Sequence, residues 1–155
     1  MRPRVIVTIL FQFLLILLFA ENDLNISFKH LTTNEGLSQS RINCIFQDSR
    51  GFIWIGTDDG LNLYNGYGIT IFNNTTQNSI SGNYVFDIIE DENMNLLIAT
   101  NEGVDMFNPI EEIFTPIVFL DPDTMLRIYI KKLHIDEENR IWAISHAKAF
   151  IIHNK

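Results

Sequence analysis

The sequence predicts an all-β fold, a partial β-propeller of about three four-stranded antiparallel blades placed after an N-terminal hydrophobic segment. Three observations carry that expectation. A turn-and-strand unit recurs at a nearly constant spacing, and each copy holds short runs rich in β-branched and aromatic residues separated by Gly- and Asn-bearing turns. No stretch after Ala20 shows a sustained apolar stripe of helical period.

The clearest unit runs from Ile45 through Asp48-Ser49-Arg50-Gly51 and Trp54 to Thr57, and returns 43 residues later from Ile88 to Thr100. A third copy follows after a further 45 residues, from Leu133 to Ser145. A period of this length matches one propeller blade, which cannot bury its apolar faces until it is stacked on a neighbour. In the first copy strands are expected over 42–46, 52–57, 61–64 and 69–72, and in the second over 85–89, 96–100, 104–107 and 114–119. The third ends in a strand-like run from Phe150 to His153. The organisation expected is therefore 1–20 signal or anchor, 21–40 lead-in, and repeats over 41–83, 84–127 and 128–155, the last incomplete.

The recurring residues have physical roles in such a blade. Asp48, Asp91 and Asp136 stand where the first strand turns back, and a carboxylate there accepts backbone N–H groups; Gly51 completes the first of those turns. Trp54 and Trp142, with Leu97 at the same position, are expected to fill the gap between neighbouring sheets. Gly56 and Ala99 keep the second strand slim where blades converge, and Thr57, Thr100 and Ser145 are placed to bond a neighbouring turn. Gly60 and Gly103 serve the next turn; Lys148 takes their place in the third copy, so that blade bends differently or aligns differently there.

The first twenty residues form a different object. Arg2 and Arg4 precede an apolar run over 5–20, and Glu21-Asn22-Asp23 opens the polar chain. A charged start followed by an apolar segment shorter than the roughly twenty residues that span a bilayer is the plan of a secretory signal, with an uncleaved anchor as the alternative.

Composition narrows the function. Eleven Lys and Arg against nineteen Asp and Glu give a net charge of -8, which disfavours nucleic acid and anionic membrane surfaces. Cys44 is the one cysteine, so an intrachain disulfide and a Cys-based zinc site are excluded; it reads as a small core residue, since a nucleophile needs a His and an orienting acid beside it. Asp91, Asn93, Asn95 and Glu102 follow much of the calcium-loop spacing, but Leu96 stands where that loop needs glycine. Asp58 with Asp59, and Asn101 with Glu102, suit hairpin turns better than a glycosidase pair. The sequons at Asn25, Asn73 and Asn74 read as polar turns. No catalytic residue, metal site or cofactor is expected.

From Gly51-Phe52-Ile53-Trp54-Ile55-Gly56-Thr57-Asp58-Asp59-Gly60-Leu61 to Tyr64-Asn65-Gly66-Tyr67 the sequence resembles the two-component regulator propeller repeat, and the lead-in from Phe28 to Ser38 resembles the opening such sensors carry after a signal peptide. The resemblance covers about 28–153 and is strongest in the first repeat, Met94 and Leu97 standing in the second where Gly51 and Trp54 stand in the first. It implies a periplasmic sensor, two propellers of about seven blades followed by a membrane helix and a kinase, and recognition of an oligosaccharide. Those further parts lie outside this chain, which reads as a fragment that senses ligand without phosphotransfer. A secreted scaffold that binds a protein partner, and a propeller glycoside hydrolase, are the alternatives. Loops over 66–68, 73–82 and 109–112 are the ligand-contact candidates, no aromatic cluster singling one out.

Overall fold

A computed structural model of the chain describes residues 26–152. The signal or anchor segment expected over 1–20, Asn25 and His153 lie outside the described residues. The chain divides after His30, and residues 26–30 of the first unit carry no regular secondary structure. Among the described residues no helix is long and apolar enough to cross a membrane.

The second unit opens with a three-residue 3-10 turn, Thr33–Glu35, capped by Thr32, whose hydroxyl accepts the Asn34 N–H at 3.1 Å while Glu35 Oε2 accepts the Thr32 N–H at 2.8 Å. This reciprocal cap satisfies donors that so short a helix leaves unpaired. Eleven strands follow among the described residues. The first sheet joins β1 (Ile42–Gln47), β2 (Ile53–Thr57), β3 (Gly60–Tyr64) and β4 (Ile69–Phe72); the second joins β5 (Val85–Glu90), β6 (Leu96–Thr100), β7 (Gly103–Asn108) and β8 (Ile113–Ile117). The third holds β9 (Lys132–Ile135), β10 (Ile141–Ile144) and β11 (Ala149–Ile152). Every pairing is antiparallel and joins strands consecutive in the chain, so each sheet is a meander. The architecture is all-β, with three propeller-type sheets. β8 stops at Ile117, short of the expected 119, because Phe119 and Leu120 turn into a hairpin of their own: Ile128 N donates to the Phe119 carbonyl at 2.7 Å, and Leu120 bridges Arg127.

Two apolar seams hold the sheets together. Trp54, Leu61, Ile80, Val85, Ile88, Leu96, Ile98, Phe107 and Phe114 form the first, between sheets one and two. The second gathers Leu97, Ala99, Val104, Ile130, Leu133, Ile141 and Ala143 between sheets two and three. Side chains alternate along each strand, so one sheet feeds both seams, Leu96 and Ile98 facing back and Leu97 and Ala99 facing on. Each fully buried Leu or Ile contributes about 1.5–3 kcal/mol relative to exposure.

Close approach at the inner strands explains the small residue in β2. A Cβ on Gly56 would meet Cys44 Sγ at 2.5 Å and Val85 Cγ1 at 2.6 Å, so the first strand of the next sheet lies where a side chain would otherwise be. Thr57 Oγ1 donates to the Gly60 carbonyl at 2.9 Å and Ser145 Oγ to the Lys148 carbonyl at 3.0 Å, so each hydroxyl braces its own hairpin, and Thr57 Oγ1 also lies 2.9 Å from Ser38 Oγ in the lead-in. Lys148 therefore does align with Gly60. The third hairpin nevertheless differs in its backbone: Ser145 N donates to the Lys148 carbonyl at 2.9 Å beyond the last strand pair, Ile144 with Ala149, but Gly60 is left-handed at φ 120 whereas Lys148 is not.

Candidate functional site

The candidate site grows from one carboxylate at the β1–β2 turn. Asp48 Oδ1 accepts the backbone N–H of Arg50 at 3.0 Å and of Phe52 at 2.9 Å, which fixes the turn. Its Oδ2 accepts Trp54 Nε1 at 3.0 Å and the Arg50 guanidinium at 2.8 and 3.2 Å. Burial pushes the Asp48 carboxyl up, but the bonds from Trp54, Arg50 and Phe52 outweigh it and hold the group below the usual carboxylate range. A single residue thereby orients an indole, a phenyl ring and a cation; the Arg50 guanidinium lies 5.2 Å from the Phe52 ring centroid. Two of its five N–H groups are committed to Asp48.

These side chains face a cavity of about 450 Å³ between the first two sheets, lined by Arg50, Phe52, Trp54, Leu63, Asn65, Thr70, Phe72, Asn78, Phe107 and Glu112. Phe52, Leu63 and Phe72 are half-buried and present the accessible apolar wall, with the buried Trp54 and Phe107 behind them. The rings pack as one cluster: Trp54 stacks on Phe72 at 5.9 Å between centroids, and Phe107 lies 5.4 Å from Trp54 and 4.6 Å from Phe114. Polar groups stand at the rim. Asn78 Nδ2 donates to the Glu112 carbonyl at 2.7 Å, and Asn78 Oδ1 accepts the Phe114 N–H at 3.0 Å, pinning the inter-sheet connection onto β8. Asn78 and Glu112 are both left-handed, at φ 52 and 56, a conformation that costs a non-glycine residue free energy and tends to gather where a site is shaped.

The three loops selected from the sequence meet here in part: the cavity takes Asn78 from 73–82, Glu112 from 109–112, and Asn65 beside 66–68. The aromatic wall missed at the sequence level comes from strands rather than loops, and its members are scattered from Phe52 to Phe107. Spacing alone could have flagged Trp54 and Phe107 as core, but not that their seam stays open at one end.

The equivalent groove one sheet further on is different. Asn93 stands at the position of Arg50 and Ile152 at that of Phe107, and the cavity there is about 70 Å³. Asp91 holds its turn through Asn93 and Asn95, and Asn95 Nδ2, 3.0 Å from Oδ2, takes the place of the missing indole. Asp136 returns to the first pattern, accepting Trp142 Nε1 at 2.8 Å and Arg140 Nε at 2.7 Å, with its carboxyl likewise held low by Trp142 and Arg140. Gly51, at φ 91, and Gly103, at φ 130, serve turns outside the cavity, and Thr100 braces its hairpin as Thr57 does.

The other sequence candidates lie elsewhere. Asp58 accepts Asn43 Nδ2 at 2.9 Å and pairs with Arg41 at 3.5 Å, while Asp59 accepts Asn83 Nδ2 at 3.0 Å. Asp91 and Glu102 stand at opposite ends of β6, and Glu102 pairs with Arg127 at 3.5 Å. Burial, then the charge of Asp87, pushes the Cys44 thiol up to about 12, so it stays protonated at neutral pH. The far ends of the inner strands carry a row of rings, Tyr84 to Phe86 at 4.8 Å and Phe86 to Tyr129 at 6.3 Å, with Phe86 displaced by a bulge in β5.

Residues 36–59 match the family model described as two component regulator propeller. A curated relative, histidine kinase P4 of Formosa agariphila, is 47% identical over 73 residues, which is 47% of this chain and 5% of the relative. The extracellular domain of the hybrid two component system BT3049 from B. thetaiotaomicron aligns at a TM-score of 0.65 and 23% identity, over 74% of this chain and 17% of that one. The corresponding domain of BT4673 from the same organism aligns at 0.62 and 19% identity, over 72% of this chain and 16% of that one. The two structural likenesses show the fold; the chain spans a small part of each of these proteins.

Proposed function

We propose that this chain, which carries the two-component regulator propeller repeat, is a ligand-sensing propeller fragment of an extracytoplasmic, periplasmic receptor and performs no catalysis itself. The ligand is an oligosaccharide fragment held in the cavity between the first two sheets. The observation that carries this reading is the cavity's composition. Sugar rings offer apolar C–H faces edged by hydroxyls, and here half-buried aromatic side chains stand beside a guanidinium, two amides and a hydroxyl. Its volume of about 450 Å³ falls within the ~300–1,000 Å³ usual for small-molecule sites. In an intact relative the partners are the remaining blades and a kinase, with the signal passed by contact between domains; nucleic acid has no place in the scheme.

Titration calorimetry of the chain with a panel of oligosaccharides tests the proposal. At least one fragment is expected to bind, and Arg50→Ala to weaken it roughly tenfold or more, as loss of a charged hydrogen bond does. Absence of binding across the panel, or equal binding by Arg50→Ala, would count against it.

A further inference from the structure

Asn62 in β3 and Asp105 in β7 occupy one position of the repeat, 43 residues apart, and both are buried. Each clamps the serine 24 residues upstream: Ser38 N donates to Asn62 Oδ1 at 2.8 Å, and Ser81 donates to Asp105 Oδ2 through its N–H at 3.0 Å and its hydroxyl at 2.9 Å. The two sites part company at the second polar atom. Asn62 Nδ2 donates to the Ile55 carbonyl at 3.1 Å and to Ser38 Oγ at 2.9 Å. Asp105 Oδ1, at the corresponding place, is buried without a hydrogen-bond partner among the described residues. Ile98 lies directly opposite Asp105 in the β6–β7 register, as Ile55 lies opposite Asn62. Where the first sheet aims an N–H at a carbonyl, the second therefore aims an oxygen. Ionised, that oxygen would meet carbonyl oxygen in a dry seam; protonated, it supplies the missing donor.

We propose that Asp105 is carried in the fold as a neutral carboxylic acid whose Oδ1–H donates to the Ile98 carbonyl, making it a proton-dependent clamp on the connection between the first two sheets. Burial pushes the group above the usual carboxylate range, against the bonds from Ser81. The charged groups facing it are Arg127, which favours ionisation, and Glu102, which opposes it, and these two are themselves paired at 3.5 Å. The connection from Asn73 to Asn83 brings no titratable side chain. Because Ser81 lies three residues after Asn78, a cavity-wall residue, releasing the clamp would loosen one wall of the candidate site. The protonation state itself does not depend on any ligand.

The sign follows from linkage: a carboxyl whose folded-state affinity for its proton is raised contributes stability below the unfolded value, and that contribution is lost as pH rises to the folded value. Carbon-13 carboxyl NMR of the chain should show Asp105 still protonated at a pH where exposed aspartates have ionised. Asp105→Asn should abolish that titration and raise the denaturation midpoint at pH 7, and Asn62→Asp should create a second late-titrating carboxyl. An Asp105 resonance that titrates with the exposed aspartates, or an Asp105→Asn chain less stable than the parent at pH 7, would overturn the proposal.

Discussion

Asp48 shows how much one side chain organises. It takes five hydrogen bonds, from two backbone N–H groups, one indole and two nitrogens of one guanidinium, while almost fully buried. Trp54→Phe keeps the ring but removes the indole donor from a buried carboxylate, and is expected to cost about 1–3 kcal/mol in denaturant unfolding. Asp48 is held low in the fold, so its contribution is complete above the unfolded carboxylate value and fades as pH falls through the folded one. Asp48→Asn should therefore flatten the acid side of the stability profile, whereas Asp105→Asn flattens the side above the carboxylate range; equal acid slopes in Asp48→Asn and the parent would contradict the assignment. That an aspartate opens each turn was legible from its recurrence at Asp48, Asp91 and Asp136. Its bond to the tryptophan six residues on was not, because nothing in the spacing says that the indole edge points back to the turn.

At the scale of strands, the repeat was legible almost residue by residue, since β-branched and aromatic runs separated by turns that contain or border Gly or Asn mark every hairpin of the first two sheets. Less legible were the features set by neighbours. The bulges that displace Asn43 and Phe86 depend on how inner strands meet, and the early end of β8 depends on the hairpin after it. The close approach at Gly56 makes a direct prediction: Gly56→Ala pushes a methyl into Cys44 and Val85, and is expected to cost about 1–3 kcal/mol by overpacking. Gly60→Ala should also destabilise, since its φ of 120 disfavours any side chain and its Cβ would lie 2.7 Å from the Phe72 carbonyl oxygen. Lys148→Ala, at the aligned position of the third hairpin, loses an exposed ion pair to Asp121 and should change stability by less than about 1 kcal/mol. Thermal melts in which Lys148→Ala lowers the midpoint as much as Gly60→Ala would contradict the special role of the left-handed glycine in the first hairpin.

At the scale of the whole unit, stacking of sheets decides which equivalent residues are buried. Ile45 and Ile88 share one place in the repeat, yet Ile45 is 64% exposed and Ile88 4%, because a sheet covers only the second. Ile88→Lys should accordingly abolish cooperative unfolding near room temperature, while Ile45→Lys should leave the midpoint nearly unchanged. The same stacking produces the cavity. The seam between sheets one and two is wide where Arg50, Phe52 and Phe72 stand, and narrow at the next seam, where Asn93 and Ile152 replace Arg50 and Phe107. Loop composition pointed to its rim but not to its aromatic wall, because an open seam is a property of two sheets and not of any one segment. The most direct test is residue-resolved: amide and indole NMR spectra of the chain, recorded while an oligosaccharide selected by calorimetry is titrated in. The account predicts shifts at Arg50, Phe52, Asn65, Thr70, Asn78 and Glu112 and at the Trp54 indole N–H. Shifts confined to Tyr84, Phe86 and Tyr129, with those residues unmoved, would contradict it.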